Sequence, residues 1–95
     1  MLTKKRIAKS RQHRVTFLLP QSEARTVHLL GDFTDWQARP MRRFRDGTWR
    51  ITVDLVPGRE FRFRYLLDGA RWENDPAADR YDPNPYGSDD SVVVT

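Results

Sequence analysis

The fold class of this chain is decided by one stretch that alternates strictly between apolar and polar residues, Trp49-Arg-Ile-Thr-Val-Asp-Leu55. Successive side chains of a β-strand point to opposite faces, so the four apolar residues would share one face and the three polar residues the other. A strand with one apolar face and one solvated face is typical of an antiparallel sheet that covers a core on one side.

The same two-residue period recurs on both sides of this stretch. It appears in segments 15–19, 27–30 and 61–67, a valine-rich run occupies 91–95, and 39–44 could add a further short strand. Turn pairs separate several of these runs: Asp46-Gly47, Pro57-Gly58 and Asp68-Gly69. Six to eight short antiparallel strands in about 100 residues predict an all-β fold, as a β-sandwich or, alternatively, a small open barrel.

Composition divides the chain into two parts. The 95 residues suffice for one domain, and the absence of cysteine excludes disulfides and cysteine-ligated zinc. The net charge is +4, yet six cations and no acid fall in the first 14 residues, while the remainder carries 11 basic and 13 acidic residues. We therefore expect a basic, disordered tail over residues 1–12 and a single folded module over residues 13–95.

The basic tail suggests neither a membrane nor a nucleic-acid partner. No apolar run of signal-peptide length follows it, and no run approaches the length of a membrane span, so we expect a cytoplasmic protein. Six cations could bind nucleic acid without sequence preference, but the tail has no aromatic ring for base stacking. A solvated leader is the favoured interpretation.

Catalytic and metal-binding patterns are weak. His13 and His28 are the only histidines, and nothing resembles a nucleophile with its base, so we predict that the chain is not an enzyme and needs no cofactor. The segment from residue 82 to 93 partly resembles a calcium loop. It departs from that motif at the fifth position, Tyr86, and at the twelfth, Val93, where a bidentate Glu is required, so no metal site is predicted.

Two of the three tryptophans do not fit an apolar face. Trp49 keeps the period of its strand and is expected in the core, whereas Trp36 and Trp72 stand among polar residues. An exposed aromatic ring needs a reason, and one good reason is sugar binding, because the C–H face of a glucose ring is apolar and flat. The alternative, that both rings cap the ends of the core, is equally compatible with the sequence.

Several blocks of the sequence, in this order and spacing, resemble carbohydrate-binding module family 48. This family includes the early-set domain of isoamylases and glycogen branching enzymes and the glycogen-binding domain of the AMP-activated protein kinase β subunit. The blocks span roughly residues 13–95 and are Val27-His-Leu-Leu-Gly-Asp-Phe-Thr-Asp-Trp36, Asp46-Gly-Thr-Trp49, Val56-Pro-Gly58, Phe63-Arg-Tyr-Leu-Leu-Asp-Gly69 and Trp72-Glu-Asn-Asp-Pro76.

The resemblance implies an immunoglobulin-like β-sandwich of the early-set type that binds α-1,4-linked glucans such as glycogen, starch or maltodextrin. The family's two stacking tryptophans match Trp36 and Trp72, and a lysine that bonds sugar hydroxyls matches Arg64. An apolar residue and an amide of the last loop fall near Tyr86 and Asp90. Asn74 is a further candidate, because an amide beside a stacking ring can bond the hydroxyl rim of a sugar.

The resemblance also implies a free-standing module without catalysis. In the enzymes of the family the catalytic domain is a separate (β/α)₈ barrel, which needs about 200 residues or more. The expected partner is an α-glucan, with a glycogen-metabolising enzyme as a further one. The alternative function is a protein-interaction or regulatory module for such an enzyme, with no sugar binding of its own.

Overall fold

The alternating stretch forms an inner strand, Trp49–Leu55, of one of two antiparallel sheets that pack face to face. A computed structural model describes residues 1–6, 12–20 and 22–95. The described residues contain one 3₁₀ turn, Asp32–Thr34, and ten strands: β1 (Leu2–Arg6), β2 (His13–Leu19), β3 (Val27–Gly31), β4 (Arg39–Pro40), β5 (Arg42–Arg43), β6 (Trp49–Leu55), β7 (Glu60–Leu67), β8 (Arg71–Glu73), β9 (Arg80–Pro83) and β10 (Asp89–Val94).

The two sheets confirm the all-β sandwich predicted from the sequence. One sheet has the order β1-β2-β6-β5, and the other has the order β4-β3-β7-β10-β9. Strand β8 pairs with the end of β7 on the edge opposite β3, beyond the residues that pair with β10. All strand pairings are antiparallel. The chain passes from one sheet to the other between β4 and β5, where the side chain of Met41 is buried.

The core lies between the sheets and is built around aromatic rings. Phe17 of β2 is stacked on Phe33 with ring centroids 5.2 Å apart, and it meets Phe63 of β7 edge-on at 4.9 Å. Tyr65 continues this row on β7 and is fully buried. Trp49 is 6% exposed, which confirms its assignment to the core. Such ring pairs fix the relative position of the two sheets.

The structure has more strands than the six to eight expected, and the additional ones are those that periodicity cannot show. The short strand suggested over 39–44 is divided into β4 and β5, of two residues each, and β8 has three residues, too few to display alternation. Strand β9 lies inside the segment 74–90, whose three prolines and few apolar residues predict a long loop. Only Tyr81 and Pro83 stand on one face of its four residues, too few to display an apolar alternation at the edge of the sheet.

The first six residues correct the expectation of a disordered tail over 1–12. Leu2–Arg6 forms β1, which pairs along its whole length with β2, from Leu2 opposite Phe17 to Arg6 opposite His13. The side chain of Lys4 pairs with Asp79, which neutralises one of the tail's cations. Residues 7–11 of the predicted tail lie outside the described residues.

A buried carboxylate holds this first strand against the other sheet. Asp75 has no exposed surface, and both of its oxygens lie 2.6 Å from the amino group of Met1. It also accepts hydrogen bonds from the Tyr65 hydroxyl at 2.6 Å and from the backbone N–H of Ala77 at 2.8 Å. A buried charge is tolerated only when it is paired and hydrogen-bonded in this way.

Because of the Tyr65 hydroxyl, the free energy of unfolding depends on pH in the alkaline range. Burial, reinforced by the charge of Asp75, raises the pKa of Tyr65 above its ordinary value. In the unfolded chain the phenol ionises near pH 10, while the folded chain keeps the proton, so stability is complete below about pH 10 and falls above it. The free-energy difference between wild type and Tyr65→Phe, measured by urea unfolding, should therefore shrink by about 1.4 kcal/mol between pH 8 and pH 11. An unchanged difference would contradict the buried hydrogen bond.

Gly31, at the end of β3, leaves no space for a side chain. Its backbone is extended, and an added Cβ would lie 2.7 Å from the carbonyl oxygen of Arg62 and 2.9 Å from the ring of Phe33. Gly31→Ala is expected to lower the free energy of unfolding by about 1–3 kcal/mol, as overpacking does. Urea unfolding would show a lower midpoint at an unchanged slope. A change within about 0.5 kcal/mol would mean that the neighbouring strand yields freely.

Candidate functional site

A groove of about 600 Å³ lies on the outer face of the larger sheet, away from the core. The turn after β3, the middle of β7, strand β8, and the segment that follows β9 together with the start of β10 meet there. The lining residues are Asp32, Trp36, Arg62, Arg64, Trp72, Asn84, Pro85, Tyr86 and Asp90. Five of the six residues predicted from the sequence are thus brought together from four separate segments.

Trp36 is held in an unusual backbone conformation at one side of the groove. Its φ is 58°, in the left-handed region that bulky residues rarely adopt. Its backbone N–H donates to the Gly31 carbonyl at 2.9 Å, and its indole N–H donates to Asp32 Oδ1 at 3.0 Å. Fixed at both ends, the ring is still 38% exposed, so the strain holds a flat apolar surface toward solvent.

Asp32 ties this ring to the sheet. While Oδ1 accepts from the indole, Oδ2 accepts the backbone N–H of Arg62 at 2.8 Å. That contact joins the turn after β3 to strand β7. The position of Trp36 is therefore set by the sheet and does not depend on a mobile loop.

Trp72 and Arg64 form the opposite side of the groove. Trp72 pairs with Leu66 across β7 and β8, and its ring is 45% exposed. The guanidinium carbon of Arg64 lies 5.8 Å from the ring centroid of Trp72, within the range of a cation–π contact. Arg64 also donates to Ser88 Oγ at 3.1 Å. The outward direction that the two-residue period predicts for Arg64 is confirmed.

Asp90 forms the floor of the groove. It is 7% exposed, and its two oxygens accept hydrogen bonds from Asn84 at 3.2 Å and from Arg62 at 3.3 Å. The Nε of Arg64 lies 3.7 Å from Asp90, close enough for an ion pair but without a hydrogen bond. Asp90 therefore orients the side chains around it, whereas the resemblance implies a direct sugar contact at this position.

A row of alternating charges leads away from this floor across three strands. Arg62 faces both Asp90 and Asp82, and Arg80 forks between Asp82 at 2.7 Å and Glu60 at 2.7 Å. The hydrogen bonds from Arg80 hold the pKa of Glu60 and of Asp82 below their ordinary values. Because every charge in this row has a partner of opposite sign, the groove presents little net charge to a ligand.

Tyr86 and Asn74 differ in where the structure places them. Tyr86 lines the groove and is 91% exposed, which makes it the most exposed large ring among the described residues. Asn74 does not line the groove. Its amide donates to the Asp89 carbonyl at 2.8 Å, and its oxygen accepts from Ser91, so it closes the start of β10 beside a separate cavity of about 300 Å³.

Four groove residues were missed by the sequence analysis: Asp32, Arg62, Asn84 and Pro85. Asp32 stands four residues before Trp36, and that spacing within a turn could have suggested a contact between them. Arg62 shares the outward face with Arg64 by the same two-residue period. Nothing in the sequence distinguishes Asn84 and Pro85 from other residues of a polar loop.

The remaining chemistry of the described residues is sparse. His13 and His28 lie outside the groove, on different sheets. Within residues 1–6, 12–20 and 22–95, no three His, Asp or Glu side chains stand close enough together to hold a metal ion. No helix in the same residues is long and apolar enough to cross a membrane.

The arrangement defines a class: a β-sandwich with two exposed tryptophans facing a groove of paired charges on one sheet. A family model, carbohydrate-binding module 48 (isoamylase N-terminal domain), matches residues 6–85. The match covers most of the chain and agrees with the two-sheet fold, so the chain belongs to this family. Comparison with curated proteins finds no match. The match to the family model confirms the resemblance seen in the sequence.

Proposed function

We propose that this chain binds α-1,4-linked glucan by stacking sugar rings on Trp36 and Trp72. The carrying observation is that the chain places two half-exposed indole rings in one groove, although neither continues an apolar face of the sequence. The apolar C–H face of a glucose ring matches an indole, and its hydroxyl rim needs hydrogen-bonding groups around the ring.

The charges of the groove suit an uncharged ligand with many hydroxyls. Arg62 and Arg64 are balanced by Asp32 and Asp90, so neither an anion nor a cation gains from the site as a whole. Arg64 keeps unused N–H groups beside Trp72, where a sugar hydroxyl can accept them. A surface whose charges are paired but which still has free N–H donors can bind the hydroxyl groups of an uncharged ligand.

Affinity should be modest, because the groove is shallow and partly exposed. Two stacked rings and a few hydrogen bonds at a solvated surface correspond to roughly −4 to −6 kcal/mol, or a Kd from about 1 mM to tens of micromolar. Glycogen or starch would bind more tightly in practice, since many chain ends lie within reach of one surface.

The test is a titration of tryptophan fluorescence with maltoheptaose, with cellohexaose as the control sugar. Trp36 and Trp72 should report binding, whereas Trp49, buried in the core, should not. A saturable change with maltoheptaose alone is expected. No change up to about 10 mM, well beyond the weakest Kd given above, would overturn the proposal and turn the search to protein partners.

A further inference from the structure

A second charged surface lies where the chain passes from one sheet to the other. Four exposed arginines, none with an ion-pair partner in the part of the chain that the structure describes, occupy this crossing: Arg39, Arg42, Arg43 and Arg45. We call these four residues, together with Phe44, the arginine edge. Unlike the cations of the groove, these four charges have no acid to balance them, so they attract an external anion.

Phe44 gives the arginine edge an apolar centre. Its ring is 41% exposed, and the guanidinium carbon of Arg50 lies 4.4 Å from its centroid. Arg50 is fixed there by hydrogen bonds to Asp46 at 2.9 Å and to Thr48 at 3.1 Å. The guanidinium carbon of Arg42 lies 6.0 Å from the same centroid. Two cations therefore stand over the ring, and its exposed edge remains for an apolar side chain.

The backbone beneath these side chains is also open. Strand β5, Arg42–Arg43, is the last of its sheet and pairs only with β6 among the described residues. An unpaired strand edge can accept an extended segment of another chain through backbone hydrogen bonds. Proteins commonly block such edges with a charged residue, but four arginines beside an exposed ring exceed what blocking requires.

We propose that the arginine edge binds an extended, acidic polypeptide segment of a partner protein. Strand β5 directs Arg42 and Arg43 to opposite sides, Phe44 lies beside Arg42 and Arg50, and Arg45 lies in the turn that follows. A peptide alternating acidic and apolar residues matches this pattern, and each guanidinium can hold a carboxylate by two parallel hydrogen bonds. The two guanidinium groups over Phe44 disfavour nucleic acid, which would need a free ring face on which to stack bases.

Apart from Arg39, which lies on β4 of the larger sheet, the arginine edge and the glucan groove belong to different layers of the sandwich. Arg42 pairs with Arg50, which points away from the core on the smaller sheet, while Arg64 and Trp72 lie on the outer face of the larger one. A peptide and a sugar could thus be bound at the same time. The proposal stands whether or not the groove binds glucan.

The probe is a fluorescein-labelled peptide of four Glu-Val repeats. Its binding is measured by fluorescence anisotropy at low and at physiological salt concentration. We expect binding that weakens with salt, and a Kd raised roughly fivefold to tenfold by Arg42→Glu and by Arg45→Glu. The matched control is Arg59→Glu, which changes the net charge equally at an exposed arginine of the β6–β7 turn and should change the Kd by less than about twofold.

Backbone amide shifts on adding the peptide should concentrate in residues 39–50, and maltoheptaose titrations of the same variants should match wild type. The proposal is overturned by an equal loss in Arg59→Glu, by shifts centred elsewhere, or by no peptide binding at millimolar concentration. It is also overturned if an oligothymidine binds more tightly than the peptide with the same sensitivity to Arg42→Glu, because nucleic acid would then be the occupant.

Discussion

Asp75→Ala is expected to lower the free energy of unfolding by about 2–4 kcal/mol, because it removes the charged acceptor of several hydrogen bonds, one of them from a buried hydroxyl. The substitution leaves the buried Tyr65 hydroxyl without an acceptor, and it removes the acceptor of the part-buried Ala77 N–H. It also releases the amino group of Met1, and with it the start of β1. Because small domains are stable by only about 5–15 kcal/mol, much of the fold's stability would be lost.

Urea unfolding measures this loss, and Asp54→Ala is its matched control. Asp54 is also paired with a cation, Arg14 at 3.1 Å, but both side chains are exposed, so removing it should cost less than about 1 kcal/mol. Asp75→Asn keeps the shape of the side chain, and its free energy of unfolding should lie between those of Asp75→Ala and Asp54→Ala. Amide exchange in residues 2–6 should rise in Asp75→Ala. Equal stabilities of Asp75→Ala and Asp54→Ala would rule out Asp75 as the anchor.

The strands that the sequence predicts are those with a buried face. Segments 15–19 and 61–67 alternate because each covers the core with every second residue, and burial imposes that pattern. Strand β1 has no such pattern, since Thr3, Lys4 and Lys5 are exposed and only Leu2 packs against the core. Its position depends on backbone pairing with β2 and on a contact with Asp75, 74 residues away in sequence.

Contacts between residues distant in sequence also leave no local pattern at the candidate site, which explains which of its residues the sequence predicted. Trp36, Arg64 and Trp72 could be predicted because the resemblance carried them, whereas the contacts that hold them depend on strand register. Asn74 was misplaced for a local reason. It stands two residues after Trp72, a spacing that would put both on one face of a strand, but β8 ends at Glu73 and the alternation ends with it. The side chain of Asn74 turns to Ser91 instead.

Trp36→Ala and Trp72→Ala are each expected to weaken maltoheptaose binding by roughly 10-fold to 100-fold. This range corresponds to about 1.5–3 kcal/mol for removing the burial of one large apolar side chain. Starting from a Kd of about 1 mM to tens of micromolar, either variant would bind at the limit of detection. Isothermal titration, which does not depend on the ring that was removed, is the measurement for both variants.

Folding must be separated from binding in these variants, and the backbone of Trp36 offers a way to do so. At its φ of 58°, glycine is unstrained, so Trp36→Gly removes the ring while it relieves the backbone, and it should fold at least as well as Trp36→Ala. The control for ring loss is Phe44→Ala, because Phe44 is similarly exposed but lies at the arginine edge. If Phe44→Ala lost maltoheptaose binding as fully as Trp36→Gly, the sugar site could not be the groove. If only the tryptophan variants lost maltoheptaose binding, sugar binding would account for the exposure of Trp36 and Trp72, which packing in the core does not explain.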